Sequence, residues 1–190
     1  DAKLNVQKLL DIKQEMPQQD SVLKEVSAAS SMLQHRSKRG SFTPNQQITM
    51  EQVMYILSDQ LPENTIIFGD DGSHGFSAVR YLDIKTPGSY IFDDVFATMG
   101  HAIGYSIGAK LAEPERPIIC LAGDGCLFMN GSEISTAVNY RVPVIFIILN
   151  NGQLDMVNKG MKVHTGRTDG TVYTTPLNVK IYAESMGAKS

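Results

Sequence analysis

The sequence Pro117-Ile-Ile-Cys-Leu-Ala-Gly-Asp-Gly125 ends a short apolar run with an acid between two glycines. Residues 117–122 are aliphatic and rich in isoleucine, which predicts a strand covered on both faces. Asp124 then stands at the carboxyl end of that strand. A second apolar run, Pro143–Leu149, predicts another strand, and the amide pair Asn150-Asn151 follows it directly.

The segment between these two runs predicts a single helix, Gly131–Tyr140. Asn130 and Glu133 have the spacing of a capping box, so Glu133 is interpreted as a helix cap. Strand, helix and strand form a βαβ unit, and its right-handed crossover brings both carboxyl ends to one edge of the sheet. We therefore expect Asp124 and Asn151 at the same edge, where they can share one ion.

The predicted metal ligands are Asp124, Asn151 and Gln153, the last through its backbone carbonyl. This all-oxygen set suits a hard divalent cation such as Mg²⁺, which takes about six oxygens at roughly 2.0–2.1 Å. Because one carboxylate holds such an ion weakly, a diphosphate is expected to supply the missing negative charge. Gly123 and Gly125 allow backbone N–H groups to approach that diphosphate.

Gly123-Asp124-Gly125, residues 126–149 and Asn150-Asn151 together resemble the thiamine-diphosphate-binding motif of the enzymes that include acetolactate synthase, pyruvate decarboxylase and benzoylformate decarboxylase. Each half alone indicates only a turn or a loop, but the two halves at this spacing, each behind an apolar strand, are a specific signal. The resemblance covers residues 45–187. It implies thiamine diphosphate and Mg²⁺ as cofactors and an α/β fold, a three-layer αβα domain with a mostly parallel sheet.

A second polar segment, Asp70-Asp-Gly-Ser-His74, follows another predicted strand. Gly72 permits close approach, Ser73 offers a hydroxyl and His74 offers an N–H donor. A helix expected over residues 75–82 adds the positive end of its dipole. By the resemblance, this segment holds the diphosphate, although His74 by itself is equally an ordinary loop histidine.

Gly100, Gly104 and Gly108 recur at every fourth residue of the segment 97–110, which is predicted as a helix. Their smooth ridge is expected to pack closely against another element. The spacing is not Gly-x-Gly-x-x-Gly, so a Rossmann nucleotide site is excluded.

The start of the segment 97–110 resembles the family's Thr-Met-Gly element. This implies that the Ala97 carbonyl and the Met99 backbone hold the aminopyrimidine, and that the Met99 side chain supports the bent cofactor; a core methionine is the structural alternative. Position 97 departs from the family's usual glycine.

The run Leu-x-Met-Val at residues 154–157 resembles acetolactate synthase, in which Met156 and Val157 would line the thiazolium and substrate channel. The chain departs from that enzyme at Asp155, where glycine is usual, and at Gly160, where tryptophan is usual. A glycine-rich loop is predicted through Met161, His164, Gly166, Arg167 and Gly170, either as a lid in which Arg167 or His164 meets a substrate carboxylate or as a plain surface loop.

The remaining predicted elements come from local signals. They are a helix opened by the capping box Thr49–Gln52 and running to Leu61, the strands Thr65–Gly69 and Ser89–Phe92, and a helix over 178–186 stopped by Gly187.

The site residues follow from these motifs and the resemblance. The predicted cofactor-binding residues are Gly72, Ser73, His74, Ala97, Met99, Gly123, Asp124, Gly125, Cys126, Asn151, Gln153 and Met156. No catalytic residue is assigned, because the family's activating glutamate belongs to a separate N-terminal domain.

Composition excludes several classes of protein. A net charge of −3 gives no signal for nucleic acid. The longest apolar run, Val142–Leu149, is far shorter than the roughly 20 residues of a membrane span, and no signal-peptide core is visible. Cys120 and Cys126 fit no zinc or redox spacing, so they are interpreted as buried thiols of a cytoplasmic protein.

The chain of 190 residues is interpreted as a fragment truncated at both ends. Residues 1–40, with two amphipathic patterns separated by Pro17, are expected to be the end of a middle domain and a linker, helical or partly disordered. Residues 41–190 are expected to be the thiamine-diphosphate domain, incomplete at its C-terminus.

The resemblance implies decarboxylation or carboligation of a 2-oxo acid, dependent on thiamine diphosphate and Mg²⁺. This chain would supply the diphosphate and metal half of a site at the interface of a homodimer or homotetramer, and would be inactive alone. Pyruvate, another 2-oxo acid or a sulfonated aldehyde would all be compatible substrates. The alternatives are a non-catalytic Mg²⁺–diphosphate-binding module or regulatory subunit, and another Mg²⁺–nucleotide enzyme.

Overall fold

The computed structural model describes residues 48–190. These residues belong to the compact unit Pro44–Ser190. The amphipathic patterns and the linker predicted for residues 1–40 lie outside the described residues. Among the helices of residues 48–190, none has the length and apolar character needed to cross a membrane.

The described residues alternate helices with strands. The helices are α1 Met50–Gln60, α2 Ser73–Tyr81, α3 His101–Ala112, α4 Asp124–Asn130, α5 Glu133–Asn139, α6 Asp155–Thr165 and α7 Val179–Ser185, and the strands are β1 Ile66–Gly69, β2 Tyr90–Phe92, β3 Ile118–Gly123 and β4 Ile145–Leu149. The four strands form one sheet in the order β2-β1-β3-β4. Every pairing is parallel, and Gly123 at the end of β3 lies opposite Leu149 at the end of β4.

Helices cover both faces of the sheet, because successive side chains of a strand point to opposite sides. Ile66 and Phe68 of β1 pack with α3, α4 and α5 in one core cluster. Ile67, between them, packs with α1 and α2 in the other. Burial on both faces explains the unbroken apolar runs of the strands. The predicted three-layer αβα fold with a parallel sheet is confirmed.

The start of α1 and the two ends of α7 agree with the sequence signals that predicted them. The Thr49 hydroxyl accepts from the Gln52 N–H at 3.2 Å, while the Gln52 side chain accepts from the Thr49 N–H at 2.9 Å. This is the predicted capping box of α1. At α7, the Asn178 side chain accepts from the Ile181 N–H at 3.1 Å, and Gly187 follows the helix with φ of 84°.

The crossover between β3 and β4 differs from its prediction. Instead of one helix, Gly131–Tyr140, it contains the short helices α4 and α5, and α4 begins directly at Asp124. The predicted capping box is wrong, since Ser132 precedes α5 and makes no capping hydrogen bond. Asn130 instead donates to the Gly100 carbonyl at 3.2 Å, and Glu133 accepts from the Thr136 hydroxyl at 2.8 Å.

The predicted close packing of the glycines on α3 is wrong for Gly104 and Gly108. The helix begins at His101, and a Cβ at Gly104 or Gly108 would meet nothing within 4 Å in the described residues. Close packing therefore does not explain these two glycines. Gly100 is different: its φ is 93°, and a Cβ there would lie 3.0 Å from Asn130.

The glycine-rich loop predicted through residues 161–170 is helical for half of its length. Helix α6 runs from Asp155 to Thr165 and ends where Gly166 takes φ of 69°. Arg167 pairs with Asp169 at 2.7 Å on the exposed surface. Its guanidinium is thus engaged outside the candidate site.

Candidate functional site

The carboxyl ends of β1, β3 and β4 surround a cavity that opens to solvent. All the predicted cofactor-binding residues except Ala97 line it, and so does Val157, which was expected to line the substrate channel. The lining also includes residues that were not predicted as site residues: Met50, Asp71, Leu149, Leu154 and Asp155. Ala97 is exposed and has a positive φ of 50°.

Asp124 connects the ends of the two central strands. Its carboxylate is 3% exposed and accepts from the Gly125 N–H at 2.9 Å and from the Gly152 N–H at 2.7 Å. The second bond crosses from the end of β3 to the chain that follows β4. Asp124 and Asn151 therefore lie at the same edge of the sheet, as the strand topology predicts.

The segment after β4 is held by a short antiparallel bridge between Gln153 and Val172. Its two hydrogen bonds are made by the neighbours of Gln153: Leu154 donates to Thr171 at 2.8 Å, and Gly152 accepts from Tyr173 at 2.9 Å. The bridge fixes the backbone at Gln153 beside Asp124.

The oxygen donors at this edge fit a hard cation. Asp124, Asn151 and Gln153 all line the cavity and together offer a carboxylate, an amide oxygen and a backbone carbonyl. Within residues 48–190, no group of three or more His, Cys, Asp or Glu side chains could hold a metal. An ion here would depend on amide, backbone and ligand oxygens around a single carboxylate.

His74 lies buried against the glycine at the end of β3. Burial lowers the pKa of His74 from 6.5 to about 4, and a hydrogen bond to the Asp70 backbone opposes this only in part. The imidazole is therefore neutral near pH 7 and offers a single N–H donor without a charge. A Cβ at Gly123 would stand 2.9 Å from this ring, so the ring leaves no room for a side chain at position 123.

Asp70, which begins the predicted diphosphate segment but was not a predicted site residue, holds the Met99 turn against β1. Its side chain is fully buried, and one carboxylate oxygen accepts from the Gly100 N–H at 2.7 Å and the Asp71 N–H at 2.8 Å. Burial raises the pKa of Asp70, while the bonds from Gly100 and Asp71 and the nearby His101 oppose the rise. The sequence signal that could have identified Asp70 is its position directly after an apolar strand.

Gly125 lies so close to three side chains that a Cβ would not fit there. A Cβ at this position would lie 2.6 Å from Leu154, 2.8 Å from Met99 and 3.2 Å from the Tyr173 hydroxyl. Met99 thus reaches the cavity from the turn that Asp70 holds. Leu154 and Tyr173, which both follow β4, were not among the predicted cofactor-binding residues.

Asp155 joins α6 to α2 across the cavity. Its carboxylate accepts from the Ser73 hydroxyl at 2.5 Å, from Lys159 at 2.6 Å and from the Gln153 amide at 2.9 Å. Burial raises its pKa, but the bonds from Lys159, Ser73 and Gln153 outweigh burial and the pKa is lowered overall. The sequence marked this residue only as a departure from the resembled enzyme.

Known proteins similar to the chain include acetolactate synthases. The chain is 33% identical over 144 residues to a probable acetolactate synthase large subunit of Methanococcus aeolicus, covering 74% of this chain and 24% of that protein. It is 32% identical over 126 residues to the acetolactate synthase isozyme 3 large subunit of Escherichia coli, covering 66% of this chain and 22% of that protein. The chain thus spans about a quarter of the length of these relatives.

A solved structure and a family model agree with these relatives. The chain superimposes on the thiamine diphosphate-dependent 4-hydroxybenzoylformate decarboxylase of Rhodococcus jostii RHA1 with a TM-score of 0.68 and 26% identity, over 79% of this chain and 29% of that one. The model of the thiamine pyrophosphate enzymes' C-terminal TPP-binding domain matches residues 70–190. The chain therefore belongs to the thiamine pyrophosphate enzyme family, through that C-terminal domain.

Proposed function

We propose that this chain binds the diphosphate and Mg²⁺ of thiamine diphosphate for an acetolactate synthase-like enzyme that decarboxylates a 2-oxo acid and joins the product to a second carbonyl. The observation that carries the proposal is the hydrogen bond from Gly152 to Asp124, at 2.7 Å, which draws the chain after β4 to the carboxylate that ends β3. The acid, amide and carbonyl of the predicted metal set thereby line one cavity.

Each residue has one task in this proposal. Asp124, Asn151 and the Gln153 carbonyl hold Mg²⁺, while Gly72, Ser73 and His74 contact the diphosphate through N–H and O–H donors. Gly123, Gly125 and Cys126 form the wall beside it.

The remaining residues contact the organic part of the cofactor. Met99 supports the aminopyrimidine, the Ala97 carbonyl accepts from it, and Met156 faces the substrate. When bound, thiamine diphosphate supplies an electron sink for loss of carbon dioxide from a 2-oxo acid. The chain's residues bind and orient the cofactor.

A catalytic glutamate must come from elsewhere. Of the residues that line the cavity, none is a glutamate in the part of the chain that the structure describes. We propose that a separate domain of a partner subunit supplies it, so the site lies at the interface of a homodimer or homotetramer. The same observation favours the second candidate, a non-catalytic Mg²⁺–diphosphate-binding module or regulatory subunit.

Calorimetry tests the anchoring role directly. The 190-residue chain should bind thiamine diphosphate in the presence of Mg²⁺, and Asp124→Asn should abolish Mg²⁺-dependent binding because the only carboxylate of the metal set is lost. Asp169→Asn, which removes an exposed carboxylate paired with Arg167, is the matched control and should bind as the unmodified chain does. Preference for ATP over thiamine diphosphate would instead favour a nucleotide enzyme.

An activity assay tests whether the chain needs a glutamate from another domain. Carbon dioxide release from pyruvate should be undetectable with the 190-residue chain alone. Release at a substantial rate by this chain would refute the need for a glutamate from another domain.

A further inference from the structure

The Asp155 carboxylate lies inside the cavity, where an anionic ligand is expected to bind. It lines the cavity with Ser73 and Asp124, and its side chain is 13% exposed. The hydroxyl of Ser73 donates to it at 2.5 Å, the short distance typical of an O–H bond to a charged acceptor. The bond joins residues that are 82 positions apart in sequence.

Ser73 is the first residue of α2, and this end of the helix is open toward the cavity. Gly72 precedes the helix with φ of 141° and provides no side-chain capping bond. The first N–H groups of a helix have no partner within the helix and favour a negative charge nearby. In this structure the negative group bonded to the first residue of α2 is the Asp155 carboxylate.

Asp155 is held in this position from its own side as well. Lys159, one turn later in α6, donates to the same oxygen at 2.6 Å, and Gln153 donates to the other at 2.9 Å. The Lys159 side chain is 70% exposed, so its bond to Asp155 faces solvent. The bond to Ser73 is the one that spans the cavity.

We propose that the Asp155 carboxylate competes with the cofactor's diphosphate for the Ser73 hydroxyl and thereby sets the cofactor affinity of this chain. The proposal rests on the function proposed above. A phosphate oxygen needs the same donor, and two anions cannot both accept its single proton. Binding therefore requires Ser73 to leave Asp155, and a phosphate near Asp155 also meets a like charge.

Calorimetry with Asp155→Asn measures this competition. With saturating Mg²⁺, the variant should bind thiamine diphosphate about tenfold more tightly or better, the factor expected for removing one charge-assisted hydrogen bond. Inorganic pyrophosphate should show the same gain, because it shares the diphosphate. Thiamine, which lacks phosphate, should show none. Asp169→Asn removes the same charge from an exposed position and should leave all three affinities unchanged.

A double-mutant cycle separates competition at Ser73 from general repulsion. In a Ser73→Ala background, Asp155→Asn should give a much smaller gain, because no hydroxyl remains to compete for. An equal gain in both backgrounds would overturn the role of Ser73. Asp155→Ser, which keeps a side chain suited to a helix start, is the second variant, and circular dichroism checks folding.

The outcomes distinguish this inference from the proposed function. Weaker binding by Asp155→Asn would overturn the inference, and unchanged binding would overturn it as well. If neither the unmodified chain nor the variants bind thiamine diphosphate or pyrophosphate, the proposed function fails and the inference fails with it.

Discussion

The buried imidazole of His74 should make the folded protein less stable in mild acid. The histidine is 6% exposed, and burial lowers its pKa from 6.5 to about 4. The unfolded chain therefore takes up a proton between these two pH values that the folded chain does not. The stability that the neutral ring contributes is fully present above pH 6.5 and is lost as the pH falls toward 4.

The size of the effect follows from the two pKa values. A separation from 6.5 to about 4 corresponds to about 3 kcal/mol, at about 1.36 kcal/mol for each pH unit. Other groups titrate in the same range, so the useful quantity is a difference between variants. His74→Gln stays neutral throughout and should lose about 3 kcal/mol less stability than the unmodified chain between about pH 7 and about pH 4.

Urea denaturation followed by circular dichroism gives the free energy of unfolding at each pH. His164→Gln, a change at an exposed histidine of α6, is the matched control and should keep the pH dependence of the unmodified chain. An equal loss of stability in His74→Gln and the unmodified chain would refute the reasoning, since it would mean that the His74 ring does not resist protonation.

Three further predictions concern stability and use the same urea assay. Asp70→Ala should destabilise the fold by about 1–3 kcal/mol, because the buried N–H groups of Gly100 and Asp71 lose their acceptor. Asp83→Ala, at an exposed position, is the control and should leave the stability unchanged. An unchanged urea midpoint in Asp70→Ala would contradict this reasoning. Gly104→Ala should stabilise α3 by about 0.5–1 kcal/mol, because a Cβ there meets nothing within 4 Å. The same change at Gly75 should cost about 1–3 kcal/mol, since its Cβ would lie 2.5 Å from the Asp70 carbonyl; effects of the same sign at both glycines would count against the packing described here.

The sequence by itself determined the layered fold and the edge where the site lies. Unbroken apolar runs predict strands buried on both faces, and parallel strands bring their carboxyl ends to one edge. Asp124 and Asn151 could therefore be placed together from the order of local patterns alone. The capping box at Thr49 was equally visible, because its partners are only three residues apart.

Only the tertiary structure decided which polar groups meet inside the cavity. Asp70 reaches Gly100 across 30 residues and Asp155 reaches Ser73 across 82, and no local pattern specifies such contacts. The helix starting at Asp124 and the helical turn over residues 161–165 also differ from the sequence-based predictions. Propensity within a short segment is weak, at most about 1 kcal/mol for a glycine, so packing and distant hydrogen bonds determine the conformation there.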